Sequence, residues 1–431
     1  MQVKLAYGRS GLEVSLPDER TTVIEPTYLP GLPDEAAALR RALREPIGSL
    51  PLAEQVKADD TIVIVFCDVT RPMPTRRVLP VILEELGHVP AERITLLNAT
   101  GTHRANTQAE LVEMLGPEIV GRYRIVNHDA RAKETLEYVG RTPRGGPVWL
   151  DRAYLTASVR ILTGFIEPHF FAGFSGGPKL IAPGVAGLET VMHLHSAPLI
   201  ADPRATWGII VGNPIHDEIR AIARLAPPTF ALDVALNKEH HITAVWAGDV
   251  FASHPRGCDF VKRTAMQPVP APFEVVLTTN GGYPLDQNLY QAVKGMSAAA
   301  LVVRQGGAIL CAAECRDGLP EHGNYKDLLH TSRNPAEMLA RIHTPGFSMP
   351  DQWEAQIQAQ IQLKARVLLK NSYLSPDQVR AAHLEPVDDV EQAITRLLAE
   401  YGPAARLCVL PQGPQTIPYL DDGDGHASPA S

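Results

Sequence analysis

Three histidines and a lysine stand around a glycine-rich stretch of this chain: Thr100-Gly101-Thr102-His103-Arg104, then His169-Phe-Phe-Ala-Gly173-Phe-Ser-Gly176-Gly177-Pro-Lys179, then His195. Imidazole exchanges protons near neutral pH and ligates transition metals, and a lysine amine forms covalent nitrogen links. Asp68-Val-Thr70-Arg71 adds a carboxylate, a hydroxyl and a guanidinium fork, the last suited to a phosphate or carboxylate. From the residues alone, Asp68 and Arg71 could equally close a turn on each other. Gly101 permits a sharp turn beside His103, and the helix start that follows favours an anion. The segment 167–179 carries three glycines within five residues, so it is expected to be a loop that lets backbone approach a ligand closely. It is not a Walker A loop, because Lys179 follows Pro178 and precedes Leu180, and no G-x-G-x-x-G follows a strand. His193 and His195 diverge by about 200° on a helix, so at most one faces a shared site. In Asp286-Gln-Asn-Leu-Tyr290-Gln291-Ala-Val-Lys294, Tyr290 and Lys294 share a helical face.

The elements that must position these groups alternate between apolar runs and helical patterns. Residues 61–67 and 93–98 read as buried strands, with a helix bearing Val78, Ile82 and Leu86 between them. Thr107 and Glu110 form a capping box before Leu111 and Leu115, and strands recur at 124–126 and 159–163. Three prolines within residues 268–272 mark a boundary, after which a strand at 273–279, a turn at 280–282, a helix over about 286–300 and a strand at 307–312 restart the pattern. The expected fold is α/β, with two domains built on mostly parallel sheets. The first spans 1–268 and carries the histidines, the second spans 273–420, and a flexible tail occupies 421–431.

With 431 residues, the chain exceeds what one core usually serves. Its net charge of −8, without a basic stripe, argues against nucleic acid as a partner. The start lacks the pattern of a signal peptide and no apolar run is long enough to span a membrane, so a cytoplasmic protein is expected. Five cysteines without a C-x-x-C pair fit reduced thiols better than a disulfide frame or a zinc knuckle.

Taken together, in this order and spacing from Asp68 to Trp353, these motifs resemble the nickel-pincer-nucleotide lactate racemase family. The resemblance implies a pyridinium mononucleotide with two sulfur-bearing arms on nickel, joined covalently to Lys179, with His195 as the protein's metal ligand and His193 as a structural partner. It implies His103 and His169 as the two proton-transfer bases and Asp68, Thr70, Gly101, Thr102, Gly176 and Gly177 as cofactor-binding residues. It implies Arg71, Tyr290, Gln291, Lys294 and Trp353 as substrate-binding residues, in an active-site cleft between the domains. The reaction implied is interconversion of D and L 2-hydroxy acids by hydride transfer through a 2-keto acid, after activation by cofactor-biosynthesis enzymes. The scarcity of further cations leans toward a neutral aliphatic or aromatic substrate side chain. Two other readings remain open: a zinc-dependent hydrolase with His103, His169 and His195 as ligands, and a non-catalytic small-anion binding protein.

Overall fold

In the computed structural model, which describes residues 1–320, 323–421 and 427–428, Ile62–Cys67 (β1) is buried at all six positions. Continuous apolar burial is what a parallel strand covered on both faces requires. It anchors a compact unit made of Tyr28–His195 and Ile210–Lys262. The chain runs from β1 through the helix Thr75–Glu85 (α1) to Ile94–Ala99 (β2), then through Gln108–Leu115 (α2) to Arg124–Asn127 (β3). It returns to Val159–Phe165 (β4) on the other side of β1 and continues to Phe230–Leu236 (β5) and Ile242–Gly248 (β6). The spatial order is β6-β5-β4-β1-β2-β3, parallel except for the β5–β6 pair. The direction of winding therefore reverses between β1 and β4. In an open α/β sheet the crevice beyond the carboxyl ends at such a switch point is where ligands bind.

The capping box at Thr107 and Glu110 forms with both of its hydrogen bonds, and a cap of this kind stabilises a helix by about 1 kcal/mol. The same unit holds Leu188–Leu194 (α3), Pro214–Leu225 (α4) and most of Val250–Ala265 (α5).

The second unit joins Met1–Thr27, Ser196–Ile209 and Arg263–Ser431. Its sheet is wholly parallel: Phe273–Thr279 (β7), Val303–Ala312 (β8), Arg366–Lys370 (β9), Glu385–Val387 (β10) and Leu407–Leu410 (β11) lie in the order β10-β9-β8-β7-β11, and the short strand Thr21–Val23 extends the β11 edge. Leu277, Leu310, Leu368 and Val409 form its core with Ile394 and Leu397. Where the sequence suggested a first domain running unbroken from residue 1 to 268, the first 27 residues and the stretch 196–209 group with the second unit. The physical reason at the start of the chain is the hydrogen-bonded register Thr21↔Leu407 to Val23↔Val409. A strand pairs by backbone, which composition does not reveal.

Two other boundaries move. The helix expected from Asp286 begins at Leu289 (Leu289–Ala300, α6), because the Asn288 side chain caps it while the Asp286 carboxylate is spent on the backbone amides of Gly8 and Glu314. The tail expected to be flexible from 421 is ordered at its start: Ile417–Asp421 pairs with Met266–Val269 on one side and with Ala427–Ser428 on the other, and the rest of 422–431 lies outside the described residues. Among the described residues no helix is long and apolar enough to cross a membrane.

Candidate active site

Asp68 is the first residue past β1 and is buried. One carboxylate oxygen accepts the Thr70 amide at 2.7 Å and the Thr70 hydroxyl, and the other meets His103 Nδ1 at 2.7 Å. Burial alone would raise the Asp68 carboxyl, but the hydrogen bond and charge of His103, with Arg71 and Thr70 adding to them, hold it below its ordinary value. An ionised Asp68 accepts the Nδ1 proton of His103 and leaves the lone pair on Nε2, the form a general base needs. The His103 side chain is 44% exposed, so a small molecule can reach it. The turn in which Asp68 closes on Arg71 forms only through backbone, with Arg71 N–H donating to Asp68 O at 3.1 Å. The exposed Arg71 guanidinium has no hydrogen-bond or ion-pair partner among the described residues.

His103 follows β2, where Gly101 takes a φ of +56° that side chains rarely adopt. The helix start expected to serve an anion there is already occupied by the Thr107 and Glu110 cap. The Gly101 amide instead donates to Gly184 O at 2.9 Å, and Gly184 N–H donates to Lys179 O at 3.1 Å. The loops after β2 and β4 are therefore tied together. Beneath them the enclosed His128 bridges Asp151, at 2.8 Å, and Ala186 O, at 3.0 Å, a second His–Asp pair with a structural task.

The glycine-rich segment after β4 is a small hairpin, Pro168–His169 against Gly173–Phe174, followed by a 3-10 turn at Gly177–Leu180 that bears Lys179. One aromatic ring gathers its chemistry. The Phe171 ring lies 4.5 Å from that of His169, 5.0 Å from that of His195 and 5.7 Å from the Lys179 ammonium. His195 caps the end of α3, and its Nδ1 lies 2.7 Å from Val191 O. That contact makes Nδ1 the N–H and puts the ring's lone pair on Nε2. Burial lowers His195 to about 4 against the help of the Val191 bond, and the Lys179 charge lowers it further. A neutral imidazole whose N–H is held by a carbonyl is the usual form of a metal-ligating histidine. His193 turns away, with Nε2 2.6 Å from the buried Glu218. The divergence expected of the pair is what α3 imposes.

In the second unit, Lys294 donates to Gln291 Oε1 at 2.7 Å and Trp353 Nε1 donates to the Tyr290 hydroxyl at 3.2 Å. Trp353 opens the helix Gln352–Lys364 (α7). Its neighbour Glu354 is enclosed, and neither carboxyl oxygen has a hydrogen-bond partner among the described residues; burial pushes this acid up to about 8 against the pull of Lys294.

Sequence reasoning missed Asp233, His216, His254 and Asn213. Asp233 left a signal, a lone charge inside the apolar run Phe230-Ala-Leu-Asp-Val-Ala-Leu236. Asn213 before Pro214 left another, since it caps α4 through Ile215 and His216. The rings of His216 and His254 stack 6.0 Å apart, and burial lowers them to about 3 and about 4. Their unfolded values near 6.5 mean that the unfolded chain binds more protons below that pH, so stability falls as the pH drops from about 6.5 towards 4. Urea unfolding at pH 7 and pH 5 should show a loss of about 2 kcal/mol for one such histidine, and the total loss should shrink in a folded His216→Phe, His254→Phe double variant, which keeps only the similarly lowered His195. The three-histidine zinc arrangement does not form: among the described residues no group of three or more His, Cys, Asp or Glu is gathered to hold an ion.

Sequence and structure comparisons give one answer. The family model for the lactate racemase N-terminal domain matches residues 7–208, and that for the lactate racemase C-terminal domain matches 269–417. The lactate racemase of Thermoanaerobacterium thermosaccharolyticum is 35% identical over 96% of this chain and 98% of its own, and that of Lactiplantibacillus plantarum 39% identical over 88% and 90%. The structure of the Thermoanaerobacterium thermosaccharolyticum lactate racemase apoprotein superimposes with a TM-score of 0.90, covering 97% of this chain and all of the other. A Thermotoga maritima protein shares the fold at 20% identity and a TM-score of 0.68, covering 91% of this chain and all of its own.

Proposed function

The chain belongs to the lactate racemase family and is a racemase, and on that premise we propose that it interconverts D and L 2-hydroxy acids through a 2-keto acid, using a nickel pincer nucleotide attached at Lys179. The observation that carries this reading is the convergence of His169, Lys179 and His195 on the ring of Phe171. A neutral His195 with its lone pair on Nε2 fits a metal ligand, and soft sulfur donors beside an imidazole suit Ni(II). When bound, the cofactor supplies the hydride acceptor. Asp68, Thr70, Gly101, Thr102, Gly176 and Gly177 would line it.

The residues of this chain do the proton work. His103 Nε2, oriented by Asp68, takes the substrate hydroxyl proton as the Cα hydride leaves, and returns it in the reverse step. His169, whose Nδ1 accepts from the Ala172 amide at 3.3 Å, is the base for the mirror-image substrate. The Arg71 fork suits the substrate carboxylate. The five buried, unpaired thiols suit a reducing compartment such as the cytoplasm.

Intact-mass spectrometry of protein produced together with the cofactor-biosynthesis enzymes tests the attachment: an adduct on the Lys179 peptide is expected, and its absence overturns the reading. Turnover of Cα-deuterated acids tests the reaction. Hydride transfer keeps the deuterium at Cα in both enantiomers, whereas wash-out into water would refute it. Lactate and phenyllactate should outpace malate and 2-hydroxyglutarate.

A further inference from the structure

The backbone of the segment that ends at Lys179 is gripped at three points by enclosed side chains. Asn213 Nδ2 donates to Phe171 O at 2.9 Å, His254 Nε2 lies 2.8 Å from Ser175 O, and Gly177 N–H donates to the two oxygens of Asp233 at 2.9 and 3.1 Å. The third grip lies nearest Lys179. Asp233 stands in the middle of β5, 1% exposed, and the Gly177 amide is its sole hydrogen-bond partner among the described residues. A Cβ on Gly164 or on Gly176 would come within 2.7 Å of Asp233 Oδ1, so two glycines on separate segments keep open the slot that the carboxyl fills. An acid buried in an apolar strand is costly, and here it satisfies only one backbone donor.

We propose that Asp233 is a positioning residue for Lys179: by holding the Gly177 amide it fixes the 3-10 turn that presents the lysine amine. The link is short. Gly177 opens that turn, and Lys179 N–H closes on Gly176 O at 3.1 Å, so any shift of the Gly177 peptide passes to Lys179. The inference rests on Lys179 as the attachment point. Burial lifts Asp233 to about 7, and asparagine keeps the size of the side chain and a carbonyl oxygen that can accept the Gly177 amide.

Amide hydrogen exchange of the full-length apo-protein across residues 173–181, read beside covalent cofactor loading of co-produced protein, tests it. Asp233→Val, similar in size but without an acceptor, should speed exchange in that peptide about tenfold, the equivalent of one lost hydrogen bond, and lower loading by a comparable factor. Asp233→Asn should restore both to within about twofold, a rescue that a general loss of stability would not give. A folded Asp233→Val with wild-type exchange or wild-type loading overturns the proposal, as does a folded Asp233→Asn that restores neither. Should Asp233→Val fail to fold, the wild-type chain still decides: a Gly177 amide exchanging as fast as open-loop amides overturns the proposal, and a protected one supports it. Loading and exchange also separate the two claims, because wild-type protein without an adduct on Lys179 defeats the attachment reading while the exchange result stands for Asp233.

Discussion

Lys179→Ala should abolish racemisation, taking the rate down by on the order of 10⁶-fold to the uncatalysed background, because under the proposed function the hydride chemistry resides in the cofactor and the substitution removes its attachment. The loss should not be one of folding. The turn is closed by main-chain bonds, from Lys179 N–H to Gly176 O and from Gly184 N–H to Lys179 O, which an alanine preserves. A melting temperature within a few degrees of wild type is the expected control. Lys179→Arg should be equally inactive, since a guanidinium keeps the charge but is not a nucleophile at neutral pH. Chiral chromatography of lactate incubated with each variant gives the answer. Measurable racemisation by either would end the case for a tethered cofactor.

His103→Ala and His169→Ala should each lower kcat by about 10²- to 10⁴-fold with the Lys179 adduct intact. Their signature is more specific than the magnitude. The equilibrium constant between mirror-image acids is one, so kcat/KM must fall equally in both directions and steady-state rates cannot reveal which base serves which face. Single-turnover oxidation can. Each variant should still convert one enantiomer to the keto acid at near wild-type speed and fail with the other, the two variants showing opposite preferences. Asp68→Asn should resemble a partial His103→Ala, because an amide no longer enforces the Nδ1–H form of the imidazole. Loss of both enantiomers in either histidine variant would contradict the division of labour.

The elements around the site were readable wherever burial forced a run of apolar residues. β1, β2, β4 and β7 all lie where their hydrophobic stretches indicated, and the Thr107 cap formed as its spacing required. What could not be read were interactions made by backbone across long sequence distances. The strand Thr21–Val23 is half exposed and unremarkable in composition, and only its pairing with β11 assigns it. The chemistry-bearing types were visible at Asp68, His103, His169, Lys179 and His195, but not how they are held. Asp68 chooses His103 over Arg71 because β1 and β2 are neighbours, a fact of sheet order rather than of spacing. His195 is made neutral by its enclosure and by Val191 O, neither of which shows in His-Leu-His. Asp233 was overlooked because a single acid in an apolar strand resembles noise until its slot between Gly164 and Gly176 is seen.

The pairing of Thr21–Val23 with Leu407–Leu410 also bears on how the polypeptide is made. At translation speeds of about 5–20 residues per second, the early segment waits on the order of tens of seconds for its mate to leave the ribosome. The unit encoded between them can fold meanwhile, and the flanking unit completes its own sheet last, when that final strand arrives.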